Sequence, residues 1–205
     1  MIRLLYTEIA SLPEPGKLAK EIPEPFLRAY YASHKKPISA GLGGLWLAAS
    51  GGASGELFYD EKGRPNLSDK QVCDLSISHT KNFIFCALAS GEHHRVGLDA
   101  EDGARLDEAT MEKIVRRFFV QKEIAEFEAA ARKKEAFLAI WTKKEAYAKY
   151  TGEGLAALLA GKVLEKPCCF MGMTLSGTVL SICADRPFEN GFLTPEKVEF
   201  RPKNR

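Results

Sequence analysis

Two clusters of charged residues have the spacing that metal or phosphate chemistry needs. Val96-Gly97-Leu98-Asp99-Ala100-Glu101 sets two carboxylates two residues apart. On a strand such residues share a face. They repel one another unless a cation lies between them, and Mg²⁺ or Mn²⁺ favours such oxygen ligands. Taken alone, the motif is better described as two exposed carboxylates at a strand end. Trp141-Thr142-Lys143-Lys144-Glu145-Ala146-Tyr147-Ala148-Lys149 is the second cluster. On a helix, Trp141, Glu145 and Lys149 stand one turn apart along one side, and Lys144 flanks Glu145. A surface ion-pair ladder would look similar and contributes only about 0.3 kcal/mol per pair. Trp141 on the same stripe argues against full exposure. Glu145 would then complete a three-carboxylate metal site with Asp99 and Glu101, leaving Lys144 and Lys149 to face phosphate oxygens.

A third segment, Leu75-Ser76-Ile77-Ser78-His79-Thr80, follows the turn Gly63-Arg64-Pro65. Ser78, His79 and Thr80 offer hydroxyls and an imidazole at a strand end, donors that suit a phosphate. A Ser-His hydrolase is disfavoured, because adjacent Ser and His are poorly placed to bond each other and no G-x-S-x-G elbow is present. Gly41, Gly43 and Gly44 lack the Lys-Ser/Thr of a phosphate-binding loop. His93-His94, Arg116-Arg117 and Arg132-Lys133-Lys134 read as solvated.

The elements that must position these residues follow from periodicity. Ile2 to Ile9 reads as a strand, and Phe26 to Ser33 and Ser39 to Ala49 as helices, the latter with Leu42, Leu45, Trp46 and Ala49 on one apolar face. Asp60 to Pro65 is a turn. Leu75 to Ser78 alternates as a half-buried strand does. With Phe83 to Ala89 and Val96 to Leu98 it predicts a three-stranded meander. Asp107 is an N-cap for a helix carrying Ile114, Val115, Phe118 and Phe119. Helices continue over Ile124 to Ala131 and Lys134 to Tyr150, and strands return at Gly177 to Ala184 and Lys197 to Phe200. The order predicts an α+β fold with mixed or antiparallel sheets.

Composition narrows the partners. The chain has 205 residues, 45% hydrophobic, with 29 basic and 27 acidic side chains for a net charge of +2. That is enough apolar content for a core and too little charge for an electrostatic binder of nucleic acid. Arg3 and Glu8 interrupt the N-terminal apolar run, so it is no signal peptide. The charge-free run from Pro37 to Gly55 holds too few bulky residues to cross a bilayer. Five cysteines with no CxxC spacing read as buried free thiols in a reducing cytoplasm.

Together the clusters resemble the 4′-phosphopantetheinyl transferase superfamily, in its larger, Sfp-type branch. Gly97-Leu98-Asp99-Ala100-Glu101 matches G-[ILV]-D-x-E. Trp141 to Leu155 matches [FW]-x-x-K-E-[AS]-x-x-K-x-x-G-x-G-L. Gly63-Arg64-Pro65, Ser76 to Thr80, and Phe118-Phe119 with Glu123 correspond to further family segments. The resemblance implies two similar α/β halves forming an intramolecular pseudodimer, residues 1–98 on the adenine and 3′-phosphate side and 99–205 carrying the metal and catalytic residues, in a cytoplasmic monomer. It implies transfer of 4′-phosphopantetheine from coenzyme A to a serine of an apo acyl or peptidyl carrier protein, with adenosine 3′,5′-bisphosphate released. Asp99, Glu101 and Glu145 would hold Mg²⁺ or Mn²⁺. Glu145 would take the serine proton, and Lys144 and Lys149 would stabilise charge. Lys35, Lys36, Arg64, Ser78 and His79 would join Asp99 and Lys149 in binding coenzyme A. In one departure, Ala40 stands where the family usually has an Arg. A catalytically degenerate coenzyme A or carrier-protein binder and a metal-dependent phosphodiesterase are the alternatives.

Overall fold

The computed structural model describes residues 1–34, 38–69, 71–104, 106–154, 158 and 168–202. The chain is mixed α+β. Strand β1 (Ile2–Glu8) opens it, followed by helices α1 (Pro15–Leu18), α2 (Glu24–Ser33) and α3 (Ser39–Ser50). Two short strands, β2 (Glu56–Tyr59) and β3 (Pro65–Ser68), pair antiparallel around the predicted Asp60–Pro65 turn. Strands β4 (Val72–His79) and β5 (Phe83–Ser90) form a hairpin, and β5 also pairs antiparallel with β1. Strand β6 (Val96–Glu101) leads into helices α4 (Glu108–Phe118), α5 (Gln121–Ala129) and α6 (Lys133–Thr151). A second hairpin, β7 (Cys169–Leu175) and β8 (Thr178–Ala184), follows, and β9 (Glu196–Lys197) returns to lie parallel to β1.

The sheet orders are β4-β5-β1-β9 and β6-β8-β7. The predicted meander is therefore corrected. β4 and β5 pair as expected, but β1 occupies the far side of β5, and β6 opens the second sheet by pairing with β8. Residue alternation explains this. Along β1 and β5, Ile2, Leu4, Phe85, Ala87 and Ala89 point one way, and Leu5, Ile84, Cys86 and Leu88 the other. A strand apolar on both faces must be covered on both. The first set packs against Val96, Leu98, Ala100, Leu180, Ile182 and Ala184 of the second sheet. The other set packs under α3, whose Leu42, Leu45 and Leu47 are all fully buried. So α3 is buried around most of its circumference, beyond the single apolar face predicted for it.

On the outer face of the second sheet lies α6, and Gly97 decides how close it comes. A Cβ at Gly97 would lie 2.0 Å from the Ala146 carbonyl oxygen and 2.5 Å from the Tyr150 nitrogen. Only glycine lets the helix backbone rest on the strand there. Thr142 Oγ1 meets Ser181 Oγ at 2.8 Å and fixes the helix against β8. An aromatic series holds its first half: Phe119 stacks on Phe137 with centroids 5.7 Å apart, and Phe137 on Trp141 at 6.3 Å. Asp107 caps α4 as predicted, accepting from the Thr110 N–H at 2.7 Å.

Two smaller expectations change. His93 is buried, with Nδ1 3.5 Å from Asp185 Oδ1, because the turn after β5 folds back over the end of β8. All five cysteines are free, but only Cys86 and Cys183 are buried. Among the described residues no helix is long and apolar enough to cross a membrane.

Candidate active site

The edges of the two sheets meet at β4 and β6, and side chains join them. Asp74, Ser76 and Ser78 lie two residues apart on one face of β4. Asp74 Oδ2 accepts from the Val96 N–H at 2.9 Å, Ser76 Oγ from Leu98 at 2.9 Å, and Ser78 Oγ from Ala100 at 3.2 Å. β6 is an edge strand, and its outward N–H groups would otherwise be unpaired donors in a buried seam. The alternation Leu75-Ser76-Ile77-Ser78 was legible as a strand, and Asp74 extends it. Its polar face is not solvated, however: Asp74, Ser76 and Ser78 are all buried.

This seam brings two of the sequence clusters together. Lys149 Nζ donates to Asp99 Oδ1 at 2.8 Å and to Ser78 Oγ at 3.1 Å. Ser78 Oγ in turn donates to the same Asp99 oxygen at 3.1 Å. Asp99 is 3% exposed, and its Oδ2 is buried with no partner. Glu145 lies one turn before Lys149 and accepts from the Trp141 side chain, so the predicted stripe is present. Burial, and next the Asp99 carboxylate, push the Glu145 carboxyl up to about 7; Lys149 opposes the rise and Glu101 adds to it. Three carboxylates thus act on one another, and Lys149 neutralises only one oxygen.

Two cavities flank the seam. One, of about 280 Å³, is lined by Gly63, Arg64, Ser76, Ile77, Glu145, Lys149 and Gly152. The other, of about 380 Å³, is lined by His79, Thr80, Glu101, Gly103, Ile114 and Trp141. On β4, Ile77 faces the first cavity and His79 the second, with Ser78 between them.

The remaining predicted residues are placed differently. Lys144 is 1% exposed and turns away from the cleft to Glu123, at 2.8 and 3.1 Å. Glu123 also accepts from the Val120 N–H at 2.9 Å, so the pair ties the start of α5 to α6. Arg64 reaches the cleft wall, but its guanidinium is engaged by protein acceptors. Lys35 and Lys36 lie outside the described residues. Ala40 is buried in the first core. Sequence reasoning missed Asp74 and Ser76, whose signal was the polar alternation, and Arg95, which donates to the Tyr150 and Thr151 carbonyls at the end of α6.

Among the described residues no group of three or more His, Cys, Asp and Glu side chains is gathered closely enough to hold a metal ion. The donor set still fits a hard divalent cation. An orphaned buried carboxylate oxygen and a carboxyl forced toward neutrality are what such an ion would relieve.

Residues 95–166 match the family model described as the 4′-phosphopantetheinyl transferase superfamily, a segment that contains Asp99, Glu101, Glu145 and Lys149. The chain is 30% identical over 142 residues to the 4′-phosphopantetheinyl transferase HetI of Nostoc sp., covering 64% of this chain and 58% of that one. It is 33% identical over 83 residues to the 4′-phosphopantetheinyl transferase gsp of Aneurinibacillus migulanus, 40% of this chain and 32% of the other. To the 4′-phosphopantetheinyl transferase AcpT of Salmonella typhi it is 26% identical over 187 residues, 90% of this chain and 89% of that relative. The chain thus spans less than two thirds of the Nostoc and Aneurinibacillus proteins and most of the Salmonella one. The matched segment carries both sides of the Asp99–Lys149 contact, and these relatives share one description: the chain is similar to 4′-phosphopantetheinyl transferases.

Proposed function

We propose that the chain transfers 4′-phosphopantetheine from coenzyme A to a serine of an apo acyl or peptidyl carrier protein. The observation that carries this reading is the meeting of Asp99, Lys149 and Glu145, drawn from two motifs about forty residues apart, at one cleft beside the β4–β6 seam. In the reaction the serine Oγ attacks the β-phosphorus of coenzyme A. Its proton passes to Glu145, the carboxylate that lines the same cavity as Lys149. The bond from that phosphorus to the bridging oxygen breaks, and adenosine 3′,5′-bisphosphate leaves. Lys149 stabilises the negative charge on the pyrophosphate and on the leaving oxygen. Ser78 holds Lys149 against Asp99, and we assign His79, exposed at the end of β4, to the 3′-phosphate. Lys35 and Lys36 are assigned the same phosphate. Asp99, Glu101 and Glu145 would hold Mg²⁺ or Mn²⁺, which would neutralise pyrophosphate charge when bound. We assign Lys144 to support Glu145 by anchoring α6.

The two-half reading is part of the proposal, divided at 98/99 within β6. It is supported by a topological repeat: β1, helices and the hairpin β4–β5 correspond to β6, helices and the hairpin β7–β8, and the orders β4-β5-β1 and β7-β8-β6 match. Such a chain completes its cleft as a monomer, in the cytoplasm where coenzyme A and carrier proteins meet.

The test incubates the protein with Mg²⁺, coenzyme A and an apo carrier protein and weighs the carrier. A gain of one phosphopantetheine group is expected. No gain on several unrelated carriers, with coenzyme A still bound, would overturn transfer in favour of a binding module. Nucleotide cleavage without carrier would overturn it in favour of a phosphodiesterase.

A further inference from the structure

The guanidinium of Arg64 offers five N–H donors, and protein acceptors engage it on every nitrogen. Nε donates to the Lys149 carbonyl at 2.8 Å. Nη1 donates to the Pro65 carbonyl at 3.1 Å and to Asn66 Oδ1 at 3.2 Å. Nη2 donates to Asp74 Oδ2 and to the Val96 carbonyl, the latter at 3.2 Å. The side chains of Arg64 and Asp74 are 8% and 7% exposed, so the pair is buried. No N–H remains for a phosphate. The turn is built to aim this side chain inward: Asp60 Oδ1 accepts from the N–H groups of Lys62 and Arg64, and Gly63 takes φ +79°.

The acceptors belong to β3, β4, β6 and α6, so one side chain spans the seam and reaches the helix that carries Lys149. The last carbonyls of a helix have no intrahelical donor. At the end of α6, Arg64 takes the carbonyl of Lys149, and Arg95 those of Tyr150 and Thr151. The amine at the far end of the same lysine is the one that bonds Asp99 and Ser78.

We propose that Arg64 is a positioning residue: it holds the backbone of Lys149, with Asp74 as its counter-ion, so that the ammonium meets Asp99 and Ser78, and it makes no contact with coenzyme A. The inference deepens the transfer reading and rests on it. Lysine cannot replace Arg64, since three donors on one nitrogen cannot reach acceptors spread around a planar fork.

The test is a double-mutant cycle on the full chain, with Arg64→Lys and Lys149→Ala made singly and together and transfer to an apo carrier followed. Arg64→Lys is expected to lower kcat roughly tenfold while KM for coenzyme A stays within about threefold. In the Lys149→Ala background the same change is expected to cost less than about twofold, because both residues act through one ammonium. Additive losses would overturn the proposal. So would a raised KM with kcat kept, or a lost preference for coenzyme A over its 3′-dephospho form, either of which would make Arg64 a ligand. If Arg64→Lys does not fold, Asn66→Ala removes one of the five acceptors and is expected to act in the same direction through the same cycle. If the wild-type chain transfers nothing, the transfer reading fails. The cycle is then read in coenzyme A dissociation constants by calorimetry, where non-additivity with Lys149 supports the positioning role and additivity overturns it.

Discussion

Replacing Glu145 by Gln should make the protein more stable, and only above acid pH. The Glu145 carboxyl, raised from 4.5 to about 7, keeps its proton in the folded chain while the unfolded chain has already released it. Below the lower value both states are protonated and the group contributes nothing. As pH rises between the two values the unfolded state is favoured, and above the upper one the loss is constant. At about 1.4 kcal/mol per pH unit of difference, ionised Glu145 costs the fold at most about 3.5 kcal/mol. Gln has the same shape, still accepts from Trp141, and carries no charge. Urea unfolding without divalent cation should therefore show Glu145→Gln more stable than wild type by about 2–3 kcal/mol near pH 8, and nearly equal near pH 4. Transfer should be lost in the same variant, because the proton acceptor is gone. An unchanged difference at the two pH values would refute the reasoning, as would a Gln variant less stable at the higher one. Either would mean that the fold does not work against an ionised Glu145.

Three further outcomes follow from the same geometry. Gly97→Ala drives a methyl into the α6 backbone and should destabilise the fold by about 3 kcal/mol or more, read from the urea midpoint; wild-type stability would show that the helix does not rest on β6. Lys144→Ala leaves Glu123 without its cation and should cost about 3 kcal/mol, most of it restored by the double change Lys144→Met with Glu123→Gln; a neutral single mutant would contradict the buried pair. Mg²⁺ should raise the melting temperature of wild type but not of Asp99→Asn, and chelation should stop transfer; equal shifts in both proteins would remove Asp99 from the metal set.

Much of this site was legible because its chemistry is local. Glu145 and Lys149 share a stripe with Trp141 through helical spacing alone, and Asp107 declared its helix start. What was not legible depends on which edges meet. Nothing in Val96–Glu101 says whether it pairs with β5 or opens a new sheet; that is settled by β1, which ends at Glu8 far earlier in the chain and competes for the same edge. For the same reason the half-buried alternation of Leu75 to Ser78 did not show that β6 covers its polar face, where Ser76 and Ser78 are buried together with Asp74. Lys144 and Lys149 look equivalent in sequence. Five positions apart they point to different sides of α6, and only the packing of α5 shows that one of them meets Glu123. Arg64 was expected as a ligand because Gly63-Arg64-Pro65 resembles a family segment. Its five acceptors come from four elements that no local pattern connects.

The central claim is that the Asp99–Lys149 seam is where the pyrophosphate of coenzyme A sits. It is tested most directly by a crystal structure of the chain with coenzyme A and Mg²⁺. The account predicts the pyrophosphate against Lys149 Nζ, with the ion drawn to Asp99 Oδ2 and Glu145. A pyrophosphate bound elsewhere, with Lys149 still closed on Asp99 and Ser78, would contradict it.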